Sequence, residues 1–242
     1  MLNELKKDLR DQADPDKAKI LQRFFKTGPG EYGEGDRFIG VTVPKVRALV
    51  IKHTSLSIKD AMVLLRSPVH EERLTALLML VSKFEKGDKY RRRKIYRAYL
   101  RNTKYINSWD LVDLTAERIV GAFLKDRDKS VLYKLARSGN LWERRIAIMA
   151  TFSYIKDGKS EHTLAIVEIL IDDKHDLIHK AAGWMLREVG KRIDEKTEER
   201  FLEKHHKDMP RTMLRYAIER FPQNKRQVYL KGGKDKKSSG FK

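Results

Sequence analysis

The sequence has no cysteine. Disulfides, thiolate metal sites and cysteine nucleophiles are excluded together. Proline is scarce, with 6 residues in 242, and glycine numbers only 14. That is too little turn chemistry for an all-β chain. The longest apolar run, residues 74–81, falls far short of a bilayer span. The opening MLNELKKDLR is charged throughout and lacks the apolar stretch of a signal peptide, so a cytoplasmic protein is expected. Negative charge is also thin. Asp and Glu total 34 against 53 Lys and Arg, which leaves a net charge of +19. An excess of that size points to a polyanionic partner.

What is present is helical. Hydrophobic residues make up 40% of the chain and charged residues 36%. A chain of this length buries roughly 70% of its unfolded surface, so its core needs no staples. Apolar residues recur with helical rather than strand periodicity. Helices are expected over 17–26, 44–53, 57–66, 70–84, 88–101, 108–122, 128–138, 141–156, 160–171, 175–191, 195–205 and 210–220. Short polar connections join them, and Ser108 and Asn140 offer N-cap chemistry. Residues 27–41, TGPGEYGEGDRFIGV, read as a Gly-rich loop. It lacks the Gly-Lys-Ser/Thr ending of a phosphate-binding P-loop and reads better as an ordered connector.

Arg73, Trp109, Arg145 and Ala181 each stand 36 residues from the next, and similar helix starts surround them. Two helices per repeat at that period describe an all-α fold, an α-solenoid of HEAT-like or armadillo-type repeats. Such a superhelix presents one helix per repeat on a concave face. A single domain is expected over 1–222. Residues 223–242, rich in lysine and poor in apolar groups, are expected to form a disordered basic tail.

Rotating each helix by about 100° per residue separates core from flank. From Ser108 onward the core stripe is Val112, Ala116, Ile119 and Phe123. Trp109 and Asp113 are i and i+4, beside that stripe, where an aromatic ring and a carboxylate can line a cleft. The plainer alternative is a core ring and a surface acid, and helix geometry alone favours it. From Asn140 the stripe is Trp142, Ile146, Met149 and Ser153, flanked by Arg145, Phe152 and Lys156. Arg145 could hold a phosphate bidentately or pair with an acid. From His175 the stripe is Ile178, Ala182, Met185 and Val189. Trp184 falls outside it, with Lys180, Arg187 and Lys191. An indole among cations suits a surface that touches phosphates, sugars or bases, or else stacks within the protein. Arg91–Lys94, RRRK, is either a set of phosphate contacts or a solvated face. His175 and His179 have metal-pair spacing but no third ligand on their helix. His205 and His206 read as solvated.

Three of these segments resemble the DNA alkylation repair family of AlkD-type DNA glycosylases. They are SWDLVD (108–113), LWERRIAI (141–148) and KAAGWMLRE (180–188), in order and at the right spacing. FIGVTVPKVR (38–47) and PRTMLRYAIE (210–219) extend the resemblance over most of the chain. It implies a solenoid of HEAT-like repeats with duplex DNA in a concave basic groove. It implies excision of cationic N3- and N7-alkylated purines by hydrolysis of the N-glycosidic bond, without base flipping. Asp113 falls on the family's catalytic aspartate, Trp109 and Trp184 on its cleft tryptophans, and Arg145 on its phosphate-binding arginine. Backbone contacts fall near Thr42, Val43, Arg47, Lys156 and Arg187. Val43 departs from the pattern, standing where a hydroxyl is usual.

The resemblance thus implies a monofunctional base-excision-repair glycosylase that needs no metal and no cofactor. The expected partner is alkylated duplex DNA at the nucleoid, with no membrane involved, and one-to-one binding by a monomer is the default expectation because the fold needs no partner. DNA contacts are expected from Arg145, Lys156, Arg187, Lys180, Lys191, Thr42 and Arg47. Two rival readings stay open: a non-catalytic DNA-binding scaffold for distorted duplexes, and a solenoid that binds acidic proteins.

Overall fold

The computed structural model describes residues 1–232. Among these residues every regular element is helical, and an isolated parallel bridge pairs Arg37 with Val69. The chain divides into two compact units, Met1–Ile119 and Val120 onward.

The first unit begins with α1 (Leu2–Asp11) and α2 (Pro15–Phe24). Asp14 starts α2 by accepting the Lys17 amide at 3.0 Å, with Pro15 preset at the first helical position. Then come α3 (Val43–Lys52), α4 (Ile58–Leu64), α5 (His70–Glu85), α6 (Lys89–Arg101) and α7 (Trp109–Asp113). Ser57 and Asp60 form a reciprocal capping box at α4, and Asp88 caps α6. Helix α5 is central. It packs against α1, α3, α4, α6 and α7, and His70 through Val81 are all buried.

The Gly-rich loop is an ordered connector. Gln22 clasps it, donating Nε2 to the Asp36 carbonyl at 2.8 Å and accepting the Phe38 amide at 2.9 Å. Gly40 sits at φ +84°, and a Cβ there would come within 2.1 Å of the Asp14 carbonyl. Buried Glu71 accepts the amides of Ile39, Gly40 and Val41. The loop is thus pinned from beneath by a carboxylate.

The second unit holds α8 (Ala122–Leu124), α9 (Ser130–Ala136), α10 (Leu141–Ala150), α11 (Phe152–Ile155) and α12 (Glu161–Leu170). It continues with α13 (Asp176–Arg192), α14 (Glu195–His205), α15 (Arg211–Ala217) and α16 (Gln223–Gly232). Helix α13 is its hub, packing on α10, α11, α12, α14 and α15. The approach of α15 depends on Gly183, where a Cβ would lie 2.3 Å from the Met213 carbonyl.

Three expectations need correction. The helix expected over 108–122 is broken: α7 stops at Asp113, Leu114 closes it, and a π-helical turn follows at Glu117–Gly121. The 141–156 helix is interrupted at Thr151. The expected disordered tail is helical over Gln223–Gly232. Tyr229 buries its ring edge-on to His206 at 5.4 Å, and the Arg211 guanidinium caps the Leu230 carbonyl at 2.5 Å. Residues 233–242 lie outside the described residues.

Candidate active site

In the first unit, Trp109 opens α7 and Asp113 closes it one turn later, both half-buried. Trp109 ends a column of rings. It stacks on Phe25 with centroids 5.1 Å apart and planes 7° from parallel. Phe25 stacks on Phe38 at 4.7 Å, and Phe38 on His70 at 4.3 Å. Phe24 meets Trp109 edge-on at 6.0 Å while 62% exposed, which extends an apolar platform from the indole to the surface.

The base of the column is charged. His70 Nδ1 bonds Asp36 and Nε2 bonds Asp110, each at 2.8 Å, and Arg73 adds a 2.7 Å bond to Asp36. Burial pushes the imidazole pKa down, but the Asp110 and Asp36 carboxylates outweigh it and raise the value to about 9. His70 is therefore an imidazolium at neutral pH, donating from both nitrogens. Asp110 neighbours Trp109 in the first turn of α7, so the network fixes the helix that carries both candidate residues. The charge of Asp113 is felt at Tyr99, whose phenol is raised mainly by burial and further by that carboxylate.

In the second unit, Trp184 on α13 is half-buried and lies 6.3 Å from the Phe152 ring. Its Nε1 donates to Glu188 at 3.3 Å, and Arg192 donates to the same carboxylate at 2.6 Å. Burial pushes Glu188 up, but these two bonds hold its pKa below the usual range. Lys156 lies 4.7 Å from the Phe152 centroid and Arg192 5.1 Å. The structure thus gathers Lys156, Phe152, Trp184, Glu188 and Arg192.

Trp184 does not stand among bare cations, as its helical face suggested. Lys180 pairs with Asp176 at 2.7 Å, and Arg187 pairs with Glu219. Lys191 is exposed. Arg145 is buried at 4% exposure and donates Nη1 to the Leu177 carbonyl. Thr42 is the half-buried N-cap of α3, with Val43 beside it, and Arg47 is exposed on that helix.

The histidine pairs have local roles. His175 caps α13 by accepting the Leu177 amide, and His179 Nε2 bonds the Asp173 carbonyl at 2.6 Å. His205 and His206 are not solvated: His205 bonds Glu168 at 3.0 Å and His206 bonds the Leu202 carbonyl at 2.7 Å. Among the described residues no group of three acids or histidines is placed to hold a metal, and no helix is long and apolar enough to cross a membrane.

Sequence reasoning missed Phe24, Phe25, Phe38 and His70 as supports for Trp109. The Phe24-Phe25 doublet before the Gly-rich loop was the available signal. It also missed Glu188, although the i, i+4 spacing from Trp184 and to Arg192 was visible.

The family model described as DNA alkylation repair enzyme matches residues 5–221. No curated protein matches the sequence. Among solved structures, a predicted DNA alkylation repair enzyme from Enterococcus faecalis superposes with a TM-score of 0.66 at 14% identity. The match covers 88% of this chain and 98% of that one. That likeness shows the fold, the all-α solenoid class of helical repeats.

Proposed function

This chain belongs to the DNA alkylation repair enzyme family, and from that premise we propose that it is a monofunctional DNA glycosylase for cationic N3- and N7-alkylpurines. The observation that carries the reading is the pairing of Trp109 and Asp113 one turn apart on α7, with the indole braced by a ring column. Alkylation at N3 or N7 leaves the purine positively charged and a good leaving group. As the glycosidic bond breaks, positive charge develops on the deoxyribose. A carboxylate about 4 Å away stabilises that charge by on the order of 4 kcal/mol at an effective dielectric of about 20, before desolvation. Asp113 supplies this carboxylate and orients the attacking water. The electron-rich face of Trp109 favours the same charge, and Trp184 offers a second such face in its own unit.

In this reading the base leaves from the stack without being flipped into a pocket, and an abasic site remains. Thr42, Arg47, Lys156, Lys180, Arg187 and Lys191 contact the backbone, and Arg145 is the phosphate-binding arginine of this reading. Lys180 and Arg187 exchange their carboxylate partners for phosphates. The protein works as a monomer on duplex DNA, without metal or cofactor, at the nucleoid in the cytoplasm.

The test is single-turnover release of N7-methylguanine and N3-methyladenine from methylated duplex, with wild type beside Asp113→Asn. Wild type is expected to release base. The variant is expected to be slower by about 10²–10⁴-fold while still binding DNA. Tight binding without release by wild type would favour the scaffold reading.

A further inference from the structure

The RRRK cluster on α6 takes no part in that function. Arg92 is structural: its Nε and Nη2 cap the Phe84 and Glu85 carbonyls at 3.1 and 3.0 Å. Arg93 and Lys94 turn elsewhere. With Arg97 and Arg101 of α6 and Lys59 of α4 they line a cleft of about 400 Å³. Its floor is apolar, including Met62 and Ala98, and Tyr90 stands at its rim 76% exposed.

The cleft concentrates positive charge in one place. All five cations are exposed, and none is within ion-pair reach of a carboxylate among the described residues. Asp60, on α4, is held in its capping box with Ser57. Some cations elsewhere are matched, Lys6 to Glu72, Lys52 to Asp8 and Arg144 to Asp173, but they do not gather into a cleft as these do. A helix rises 1.5 Å per residue, so Arg93, Arg97 and Arg101 stand roughly 6 Å apart in a row on one face. A row of unmatched guanidiniums is a ready partner for successive phosphates, and binding would release their counterions. The cleft lining shares no residue with the Trp109 column.

We propose that the α4–α6 cleft is a second binding surface for the sugar–phosphate backbone of duplex DNA, separate from the Trp109–Asp113 site. It rests on the family's DNA substrate for the identity of the polyanion, and not on the excision mechanism. The row favours duplex over single strands, because a lone rim tyrosine offers no succession of stacking platforms.

The experiment is fluorescence anisotropy of an unmodified duplex across a salt series. It uses wild type, an Arg93→Ala, Arg97→Ala, Arg101→Ala triple variant, and a control. The control, Lys7→Ala, Lys19→Ala, Lys204→Ala, removes equal charge from exposed lysines that already have acidic partners. All six side chains are exposed, and thermal melts check that both variants fold. The cleft variant is expected to lower affinity about tenfold or more at low salt. It should flatten the slope of log K against log salt by about 2.7, or about 0.9 for each phosphate that is no longer neutralised. The control should keep the wild-type slope. An unchanged slope in the cleft variant would overturn the proposal. So would an equal drop in both variants, or a weakening confined to single-stranded DNA or RNA. N7-methylguanine release by the cleft variant at saturating protein separates the two readings. Failed release by wild type with a flattened slope sinks excision and leaves the cleft standing.

Discussion

Trp109 and Trp184 are the same side chain held in two ways. Trp109 ends a column of four stacked rings whose far end is a buried imidazolium clamped by two aspartates. Trp184 rests near one phenylalanine and donates one 3.3 Å bond to a glutamate that a surface arginine also holds. The first indole is fixed by packing and buried charge, the second by polar contacts at the rim. A platform can be preorganised from the core, as at Trp109, or adjusted from the surface, as at Trp184. Each kind of support fails in its own way.

The sharpest break is at the base of the column. His70→Ala leaves the Asp36 and Asp110 carboxylates buried without their shared cation. Removing one member of a buried ion pair costs about 3–5 kcal/mol, so a large fall in melting temperature is expected in calorimetry. The pH dependence sharpens this. The His70 pKa is raised from 6.5 to about 9 in the folded protein. Its contribution is complete below pH 6.5 and is lost as pH rises through about 9. Wild-type stability should therefore decline across that window, and His70→Ala should flatten the decline. An unaltered pH profile in the variant would show that another group is titrating.

A middle-sized effect tests the hub beneath the other tryptophan. Gly183→Ala forces a methyl against the Met213 carbonyl and the Tyr216 Cβ. Overpacking of this kind costs roughly 1–3 kcal/mol and would push α15 away from α13. Urea titration should show a lower midpoint. The smallest effect is expected from Trp184→Phe, which keeps a ring and removes the bond to Glu188. The destabilisation should be about 0.5–1.5 kcal/mol in the same titration. A fall as large as that of His70→Ala would erase the contrast between the two supports.

Much of the fold was legible because one-sided burial leaves a period in the sequence. The stripes Val112, Ala116, Ile119 and Ile178, Ala182, Met185, Val189 are all buried. Helices α1 and α16 escaped because they bury few side chains, Leu5 and Leu9 in α1 and Tyr229 in α16. The break after Asp113 escaped because the residues that follow keep helical periodicity through a π-helical turn. At the candidate site, the adjacency of Trp109 and Asp113 follows from helix geometry alone. The His70 network does not, since its carboxylates lie 34 and 40 residues away along the chain. Nor could a helical wheel show that Arg145 turns inward to the Leu177 carbonyl.

In the proposed reaction Asp113 stabilises a cationic transition state during departure of a cationic base. The measurement that tests it most directly is single-turnover excision from two duplexes, one holding N7-methylguanine and one an uncharged alkylated purine, by wild type and Asp113→Asn. Wild type is expected to release N7-methylguanine and leave the neutral lesion, with Asp113→Asn slower on N7-methylguanine by about 10²–10⁴-fold. Equal release of the neutral lesion, or a wild-type rate in Asp113→Asn, would contradict that role.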